Sequence, residues 1–293
     1  MIFVFGAILQ SIRVAKDSDH TAGNVQYAIH YHNSVGGKGA MQALAAAKSE
    51  AKTALVGRTG DDELAKHILL RLRTHGVITS GVAKAEKVQT GTSIRIENDN
   101  QTILALGASS RTKAEQLPIE ALNPDSIVLL QTELPKEENS KVLSTAKEAS
   151  ATTIIDLSPQ ANLSEEDWAN IDYVIAPEKR KDYVASNAKD TPISAIYLKT
   201  DGNLEMSIKG GPIKTVPKPA LEALTWKHPE GSDDTFCGTF AASLYGGLSL
   251  NEAITRAHVA ASLTATIPGI YDAIPYSEAV NECIKALKSQ EKV

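Results

Sequence analysis

The chain has 293 residues, 42% of them hydrophobic and 22% charged, so it can bury a full core and has the composition of an ordinary soluble globular protein. Its formal net charge of −5 gives no electrostatic reason to expect nucleic acid or an anionic membrane as a partner. The two cysteines, Cys237 and Cys283, are too few for a disulfide framework and neither lies in a CxxC pair. This cysteine usage favours a reducing, cytoplasmic setting.

The first nine residues, MIFVFGAIL, form an apolar run. The run is far shorter than the roughly 20 residues that span a bilayer. It also lacks the charged leader of a signal peptide. The pattern therefore predicts a first buried strand.

Short β-branched runs then alternate with helical patterns along the chain. Buried strands are predicted at IFVFGAI (2–8), TALVG (53–57), SIVLLQT (126–132), TTIIDL (152–157), DYVIA (172–176) and SAIYLK (194–199). Helices are predicted at 39–51, 62–76, 136–149, 164–171, 234–246, 250–266 and 277–290. Alternation of this kind indicates a parallel sheet covered by helices on both faces.

Two stretches break this alternation. Residues 10–35 contain polar, alternating segments such as VQYAIHYHNSV, and residues 91–107 form two alternating runs around an ENDN turn. Both patterns are typical of half-exposed antiparallel strands. They predict a small β-sheet flap, from about 10–35 and 90–108, over one end of the main sheet. Because no Pro/Gly linker divides the chain, we expect a single domain over 1–293.

The stretch HPEGSDDTFCGTF, residues 228–240, places glycine, serine and two carboxylates directly before a helical pattern. Gly231 permits backbone angles closed to other residues. Phe236 and Phe240 recur at four-residue spacing, which predicts one buried helix face. A glycine turn before a helix leaves several N–H groups unpaired at the positive end of the helix dipole. That geometry binds phosphate or stabilises a developing anion.

Asp234 falls in the first turn of this helix, where the dipole favours an ionised carboxylate. There it is placed to accept a proton from a substrate hydroxyl that attacks a phosphoryl group. The alternative is a capped helix with two solvated carboxylates, Asp233 and Asp234, because serine, aspartate and threonine are all good capping residues. The stretch alone leaves both interpretations open.

A second motif, VGGKGAMQALAAA at 35–47, has three glycines around Lys38 and then alanines suited to a tightly packed helix. Lys38 is either a ligand for a hydroxyl or phosphate group, or a solvated lysine in a flexible turn. A third motif, VGRTGDDELAKHILLRLRTHGV at 56–77, predicts an amphipathic helix capped by Asp61 or Asp62. Neither GxxxxGK[ST] nor GxGxxG occurs, which makes a nicotinamide-dependent dehydrogenase a distant alternative.

Together the three motifs resemble those of the ribokinase-like (PfkB) carbohydrate kinases. GGKGAMQALAAA and the third motif are similar to that family's N-terminal signature, and GSDDTFCGTFAASL is similar to its C-terminal signature. LLQTELP (129–135) and DYVIAPEK (172–179) resemble two segments between them. The resemblance covers essentially the whole chain. It implies a ribokinase-like three-layer α/β/α sandwich with a mainly parallel central sheet, and it makes the flap a small β-sheet lid over the substrate.

The resemblance also implies ATP-dependent phosphorylation of a hydroxyl on a sugar, sugar derivative or nucleoside. Mg²⁺ would arrive bound to ATP and hold few direct protein ligands. Asp234 falls on the family's catalytic base, and Gly231, Ser232 and Asp233 fall on the anion hole. The residues implied on the substrate side are Ser11, Gly36, Gly37, Lys38, Met41 and Glu133. The residues implied on the nucleotide side are Glu178, Thr200, Gly202 and His258.

Several residues differ from what the resemblance leads us to expect. Ser11 stands where relatives usually carry an aspartate that grips sugar hydroxyls, and Met41 stands where they carry an asparagine. Asp233 replaces the middle glycine of the anion hole. Residues 178–181, EKRK, stand in place of an NxxE motif, and His228 replaces an aspartate before the helix. These differences predict an unusual acceptor and make a monovalent-cation site of the family's kind doubtful.

Two functions therefore stay open. One is a kinase with Asp234 as general base. The other, motivated by Ser11, Met41 and 178–181, is a catalytically impaired paralogue that binds a nucleotide or metabolite as a regulator. The lid, which in relatives often forms a dimer contact, predicts a homodimer. His30 and His32 share one face of a lid strand, where lid packing or solvation is favoured over substrate contact.

Overall fold

The computed structural model describes residues 1–97, 101–189, 191–221 and 223–290, with the backbone alone over 18–22. The strands are β1 (Ile2–Phe5), β2 (Leu9–Ala22), β3 (Val25–Gly36), β4 (Thr53–Gly60), β5 (Ile78–Ala85), β6 (Thr90–Ile96), β7 (Thr102–Gly107), β8 (Ile127–Gln131), β9 (Thr152–Asp156), β10 (Tyr173–Pro177), β11 (Ser194–Leu198), β12 (Leu204–Ser207) and β13 (Lys214–Val216). The α-helices are α1 (Lys38–Lys48), α2 (Glu63–Thr74), α3 (Lys136–Glu148), α4 (Lys181–Asn187), α5 (Ser232–Tyr245), α6 (Leu250–Thr264) and α7 (Ser277–Gln290). Within the described ranges, no helix is both long and apolar enough to cross a membrane.

The main sheet has the strand order β13-β12-β11-β10-β9-β8-β1-β4-β5. Its strands run parallel from β5 to β11. At the outer edge, β12 pairs antiparallel with β11, and β13 pairs antiparallel with β12. The chain leaves β1 for β4 on one side and returns to β8 on the other. Such a change of direction opens a crevice at the carboxyl ends of the central strands, where ligands bind in open α/β sheets.

Strand β1 shows why helices cover both faces of this sheet. Ile2 and Val4 belong to a core on one face that includes side chains of α1, α2, α5 and α6. Phe3 and Phe5 belong to a core on the other face with side chains of α3 and α4. Because alternate residues of a strand point to opposite faces, a strand buried on both reads as one continuous apolar run. The predicted three-layer fold class with a mainly parallel sheet is confirmed.

A second, four-stranded sheet forms the lid, with strand order β3-β2-β6-β7. β2 pairs antiparallel with β3 and parallel with β6, and β6 pairs antiparallel with β7. The two stretches that break the alternation in the sequence thus come together in one small sheet. Residues 98–100 of the predicted ENDN turn lie outside the described residues.

Helices α1 and α5 pack closely on one face of the main sheet. At Gly238 an added Cβ would lie 2.3 Å from the carbonyl oxygen of Gln42 and 2.6 Å from Cβ of Ala45. Only glycine allows this approach, and the alanines of α1 form the other side of the contact. The close packing brings the first turns of the two helices to one place at the end of the sheet.

The helix predicted at 164–171 is wrong in type and extent, because the structure has only a 3₁₀ turn there, Glu166–Asn170. Asp167 Oδ2 accepts hydrogen bonds from the Ser164 N–H (2.7 Å) and the Ser140 hydroxyl (3.0 Å), and Trp168 is buried beside it. These contacts fix a tight turn. Strand β10 then begins at Tyr173, which leaves no room for another helical turn.

Candidate active site

Helix α5 begins with a left-handed glycine. Gly231 has φ 77°, and an added Cβ would lie 2.8 Å from Cγ2 of Ile270. No side chain caps the helix; instead the Thr235 N–H and hydroxyl both donate to the Gly231 carbonyl. The N-cap residue of α5 therefore has no side-chain cap. The N–H groups of Asp233 and Asp234 lie in the first turn, where a helix has no backbone acceptor for them.

Lys38, the first residue of α1, reaches into a cluster of three carboxylates. Its Nζ lies 3.1 Å from Asp156 Oδ2, 2.7 Å from Asp233 Oδ2 and 2.9 Å from Asp234 Oδ1. The carboxylates come from the end of β9 and the first turn of α5, and three ion pairs match the three N–H donors of an ammonium group. The side chain of Asp233 is 43% exposed, whereas those of Asp156 and Asp234 are 3% and 10% exposed.

The titration of these groups follows from burial and from Lys38. Burial raises the pKa of Asp234 to about 6, with Lys38 opposing the shift and Asp233 adding to it. Burial likewise raises the pKa of Asp156 to about 7 against the opposing charge of Lys38. For Asp233 burial is outweighed by Lys38 and by the backbone N–H groups of 233 and 234, so its pKa is lowered. Its carboxylate thus interacts with the N–H groups assigned to the anion hole.

Two buried glutamines, Gln42 and Gln131, form hydrogen bonds that hold the cluster in place. Gln42 Nε2 donates to Asp156 Oδ2 (2.9 Å) and to Asp234 Oδ1 (3.0 Å), and its Oε1 accepts from Gln131 Nε2 (2.7 Å). The amide of Gln42 is therefore oriented by Gln131. The contacts of Gln42 and Lys38 with Asp234 both fall on Oδ1. Oδ2 is left as the oxygen that can accept a proton.

Most residues predicted on the substrate side surround the start of α1. Glu133 Oε2 accepts a hydrogen bond from the Lys38 N–H at 2.9 Å, and burial raises the pKa of Glu133 to about 7. Ser11 packs against Gly36, where an added Cβ would lie 2.7 Å from Cβ of Ser11. Met41 is 1% exposed and belongs to the hydrophobic core on the α1 side of the sheet.

A cavity of about 390 Å³ lies between the lid and the start of α5, within the range of small-molecule sites. Seven predicted site residues line it: Ser11, Gly231, Ser232, Asp233, Thr200, Gly202 and His258. The other predicted residues are not part of its lining: Asp234, Gly36, Gly37, Lys38, Met41, Glu133 and Glu178. Asp234 is the next residue in the chain after the wall residue Asp233 and is 7% exposed.

The end of the cavity far from the lid is built on the loop after β11. His258 Nε2 donates to the carbonyl of Gly202 at 2.7 Å, and burial lowers the pKa of His258, so the ring is neutral with its proton on Nε2. Trp226 Nε1 donates to the carbonyl of Thr200 at 3.0 Å. Glu178 lies beside this end, where it pairs with Lys199 at 2.9 Å. Backbone groups, the rings of His258 and Trp226 and the side chain of Lys199 thus form the wall at this end of the cavity.

Asp156, Asp233 and Asp234 are the one group in the described ranges whose ligand atoms are close enough to hold a metal ion together. The Lys38 ammonium already stands among them, and it carries the charge that a cation would bring. A second carboxylate pair, Glu178 and Glu205, is neutralised by Lys199 and Lys181. The chain thus fits a magnesium ion carried by nucleotide phosphates, not one held in a preformed carboxylate cage.

The carbohydrate kinase family named pfkB matches residues 1–276 of this chain. The chain belongs to that family. Ribokinase from Bacillus subtilis (strain 168) is 27% identical over 292 residues, covering 97% of this chain and 99% of the relative. Ribokinase from Staphylococcus aureus (strain COL) is 29% identical over 272 residues, covering 84% of this chain and 87% of the relative.

Solved structures agree with this assignment to the pfkB family. The crystal structure of Thermotoga maritima ribokinase has a TM-score of 0.83 at 26% identity and covers 97% of this chain and 99% of that one. Arabidopsis thaliana ribokinase, solved with ribose and ATP, has a TM-score of 0.84 at 24% identity and covers 97% and 98% of the two chains. The second likeness, at this identity, shows the fold alone.

Sequence reasoning missed five residues that build the site: Asp156, Gln42, Gln131, Arg95 and Glu230. Asp156 lies near the end of the strand predicted at 152–157 and is the last residue of β9. A carboxylate there is a sequence signal of a site at the carboxyl ends of the strands. Gln42 and Gln131 lie inside motifs that the sequence analysis singled out, but neither stands out without its partner. Arg95 and Glu230 are 135 residues apart in sequence and meet at 3.4 Å across the cavity.

Proposed function

We propose that this chain is an ATP-dependent kinase that phosphorylates a hydroxyl of a sugar, sugar derivative or nucleoside, with Asp234 as the general base. The observation that carries the proposal is the start of α5, where a buried carboxylate lies beside first-turn N–H groups next to a cavity. Membership of the pfkB family over residues 1–276 supports the same reaction. Arabidopsis thaliana ribokinase, solved with ribose and ATP, shares the fold, which is compatible with ATP as the donor.

In this mechanism the acceptor hydroxyl lies against Oδ2 of Asp234, which takes its proton as the oxygen attacks the γ-phosphorus of ATP. The new O–P bond forms while the bond between the γ-phosphorus and the bridging oxygen breaks, and ADP leaves with that electron pair. The N–H groups of Asp233 and Asp234 face the transferred group and stabilise its charge. The wall at Thr200, Gly202 and His258 holds the nucleotide.

Magnesium enters this proposal only with the nucleotide, where it neutralises phosphate charge. Asp233 is the more exposed of the two carboxylates that line the cavity, Asp233 and Glu230. Its negative charge repels the phosphates of the nucleotide, and the ion pair with Lys38 offsets part of this repulsion.

The proposal is tested by incubating the protein with ATP, Mg²⁺ and a panel of sugars, sugar derivatives and nucleosides, and measuring ADP release. We expect turnover with at least one acceptor and a loss of at least about 100-fold in Asp234→Asn, since general-base catalysis contributes about 10²- to 10⁴-fold. Asp125→Asn is the matched control, because Asp125 is exposed and precedes β8, at the end of the strands opposite to the site. Equal ADP release from Asp234→Asn and the parent protein would reject the role of Asp234.

A second candidate function is a catalytically impaired paralogue that binds a nucleotide or metabolite as a regulator. The observation that favours it is the commitment of Lys38 to three carboxylates, one of which interacts with the anion-hole N–H groups. Calorimetry separates the two candidates. ATP binding without turnover on any acceptor favours the regulator, and turnover rejects it.

We further propose that the chain forms a homodimer through the outer face of the lid. Ile12, Ile94 and Ile103 lie in register across β2, β6 and β7, and Val14 lies opposite Tyr31 of β3. These residues alternate with Ser11, Ser93 and Arg95, which face the cavity, so they point away from it. Tyr31 and Ile103 are 67% and 59% exposed. An apolar face of this kind is typical of an interaction surface.

A further inference from the structure

The lid contributes four residues to the cavity wall, Ser11, Ser93, Arg95 and Thr102, which we call the lid wall. Ser93 and Arg95 are two residues apart on β6 and project from one face of the sheet. The strand register places Ser11 opposite Ser93 and Thr102 opposite Arg95. The four side chains therefore form one patch that faces the start of α5, and the patch contains three hydroxyl groups, one guanidinium and no carboxylate.

Arg95 has donors to spare in this patch. Its guanidinium is 35% exposed and lies 3.4 Å from Glu230 Oε1, and it makes no hydrogen bond within the described residues. A guanidinium carries five N–H donors in a planar fork and no acceptor. The ion pair with Glu230 orients the group and leaves most of its donors facing the cavity.

The strand register places a second positive charge beside Arg95. Arg13 of β2 lies directly opposite Arg95 of β6. Like charges side by side on neighbouring strands repel one another, and Glu230 supplies one negative charge against the two. A bound anion at the lid wall would offset the remaining repulsion.

These surroundings offer few unpaired carboxylate acceptors to a neutral polyol. A sugar hydroxyl donates as well as accepts hydrogen bonds, and carboxylates are the strongest acceptors that a protein offers to it. The carboxylates nearest the base, Asp156, Asp233 and Asp234, all pair with Lys38, and Glu133 accepts from the Lys38 N–H. Glu230 of the cavity wall pairs with Arg95. The lid wall is complementary instead to a ligand group that is itself rich in acceptors.

We propose that Arg95 selects an acceptor that carries an anionic group, a carboxylate or a phosphate, at the end that lies under the lid. The substrate class is then a sugar acid or a sugar phosphate, with its anionic oxygens on the guanidinium and on the hydroxyls of the lid wall. A planar carboxylate or a phosphate matches the guanidinium fork with two parallel hydrogen bonds. This inference rests on the proposed kinase function for the hydroxyl that reacts, but the recognition of the anion requires no turnover.

Binding is measured by calorimetry in matched series: D-ribose, D-ribonate and D-ribose 5-phosphate, and D-glucose, D-gluconate and D-glucose 6-phosphate. The variants are Arg95→Gln and Arg95→Lys, with Arg73→Gln as the control because Arg73 is an exposed arginine on α2. We expect an acidic member to bind at least 10-fold more tightly than its neutral parent. Arg95→Gln should weaken that binding by roughly 10- to 100-fold, the range of a charged hydrogen bond, with Arg95→Lys between.

Three results would overturn the inference. One is that no acidic sugar binds more tightly than its neutral parent; another is that Arg95→Gln weakens both equally. The third is that Arg95→Gln weakens only a non-hydrolysable ATP analogue, which would assign Arg95 to the nucleotide. Measuring ADP release by the parent protein with the same ligands separates this inference from the kinase, because Arg95-dependent binding of a sugar acid without ADP release would support the inference and contradict the kinase.

Discussion

At the scale of single residues, the site is dominated by the way one ammonium group is shared. Lys38 pairs with three carboxylates that would otherwise repel one another more strongly. A lysine without a hydrogen to spare cannot also bind a sugar hydroxyl or a phosphate. For Lys38 to bind a ligand, as the sequence predicts, one of its three ion pairs with carboxylates must therefore break. Asp233 is the most exposed partner, so water can most easily replace its ion pair with Lys38.

Asp233 is therefore the residue whose removal should help catalysis. Asp233→Gly takes away a carboxylate that interacts with the anion-hole N–H groups and frees one donor of Lys38. We expect kcat/KM for ATP to rise by about 5- to 10-fold, because relief of one like-charge contact near 4 Å in a water-like setting is worth about 1 kcal/mol. Steady-state kinetics measures the change.

The isosteric Asp233→Asn serves as the control for this substitution. It removes the charge but keeps the volume, so a rise in both variants assigns the effect to electrostatics, and a rise in Asp233→Gly alone assigns it to space. Thermal unfolding of each variant checks that the loss of the Lys38 ion pair leaves the fold intact. A fall in kcat/KM in both well-folded variants would mean that Asp233 assists the reaction.

The pKa of Asp234 predicts how the rate depends on pH. A general base works only when deprotonated, and burial raises the pKa of Asp234 to about 6. We expect kcat/KM to fall about tenfold per pH unit below about pH 6 and to level off above it. The negative charge of Asp233 contributes to the raised pKa, so the midpoint in Asp233→Asn should move to lower pH. An unchanged midpoint in that variant would show that Asp234 does not control the profile.

At the scale of elements, the contacts that position Asp234 depend on the close packing of α1 and α5. The carbonyl of Gln42 lies where a side chain at residue 238 would stand, so Gly238 sets the separation of the two helices. At that separation the Gln42 amide reaches Asp156 and Asp234 together. Sequence periodicity predicted both helices correctly, but it carries no measure of the distance between them. For this reason the helical pattern did not distinguish Gln42 from its neighbours as a residue of the site.

Helix α4 was not predicted, and the three strands of the main sheet that were also missed share a physical cause. Strands β12 and β13 have four and three residues, too few for an alternating pattern to stand out from loop composition. Strand β5 lies at an edge of the main sheet and is mostly half-buried, so its apolar signal is diluted. Central strands such as β1 and β8 are buried on both faces and were easy to predict. Predictability thus followed burial.

At the scale of the whole molecule, the sequence predicted the layers and the lid but not the contacts across the cavity. Each layer can be predicted from the local periodicity of its helices or strands, which is visible in a single sequence. The ion pair of Arg95 with Glu230 and the cluster around Lys38 join residues more than 100 positions apart. Such contacts depend on strand order and register. Ser11 and Asp233 were singled out from the resemblance to relatives, whereas Arg95 required the fold.

The outer face of the lid carries the last prediction, on assembly. If the chain dimerises through that face, Ile103→Lys and Tyr31→Lys should convert a dimer to a monomer, because each variant places a charge in an apolar contact that excludes water. Both side chains are largely exposed in the single chain, so neither variant should lower the free energy of unfolding of the monomer appreciably. Ile119→Lys is the matched control, since Ile119 is 57% exposed, close to the 59% of Ile103, and lies outside the lid. Sedimentation equilibrium gives the mass of each. A parent protein that sediments as a monomer, or an Ile103→Lys variant that stays dimeric, would rule out this face as the interface.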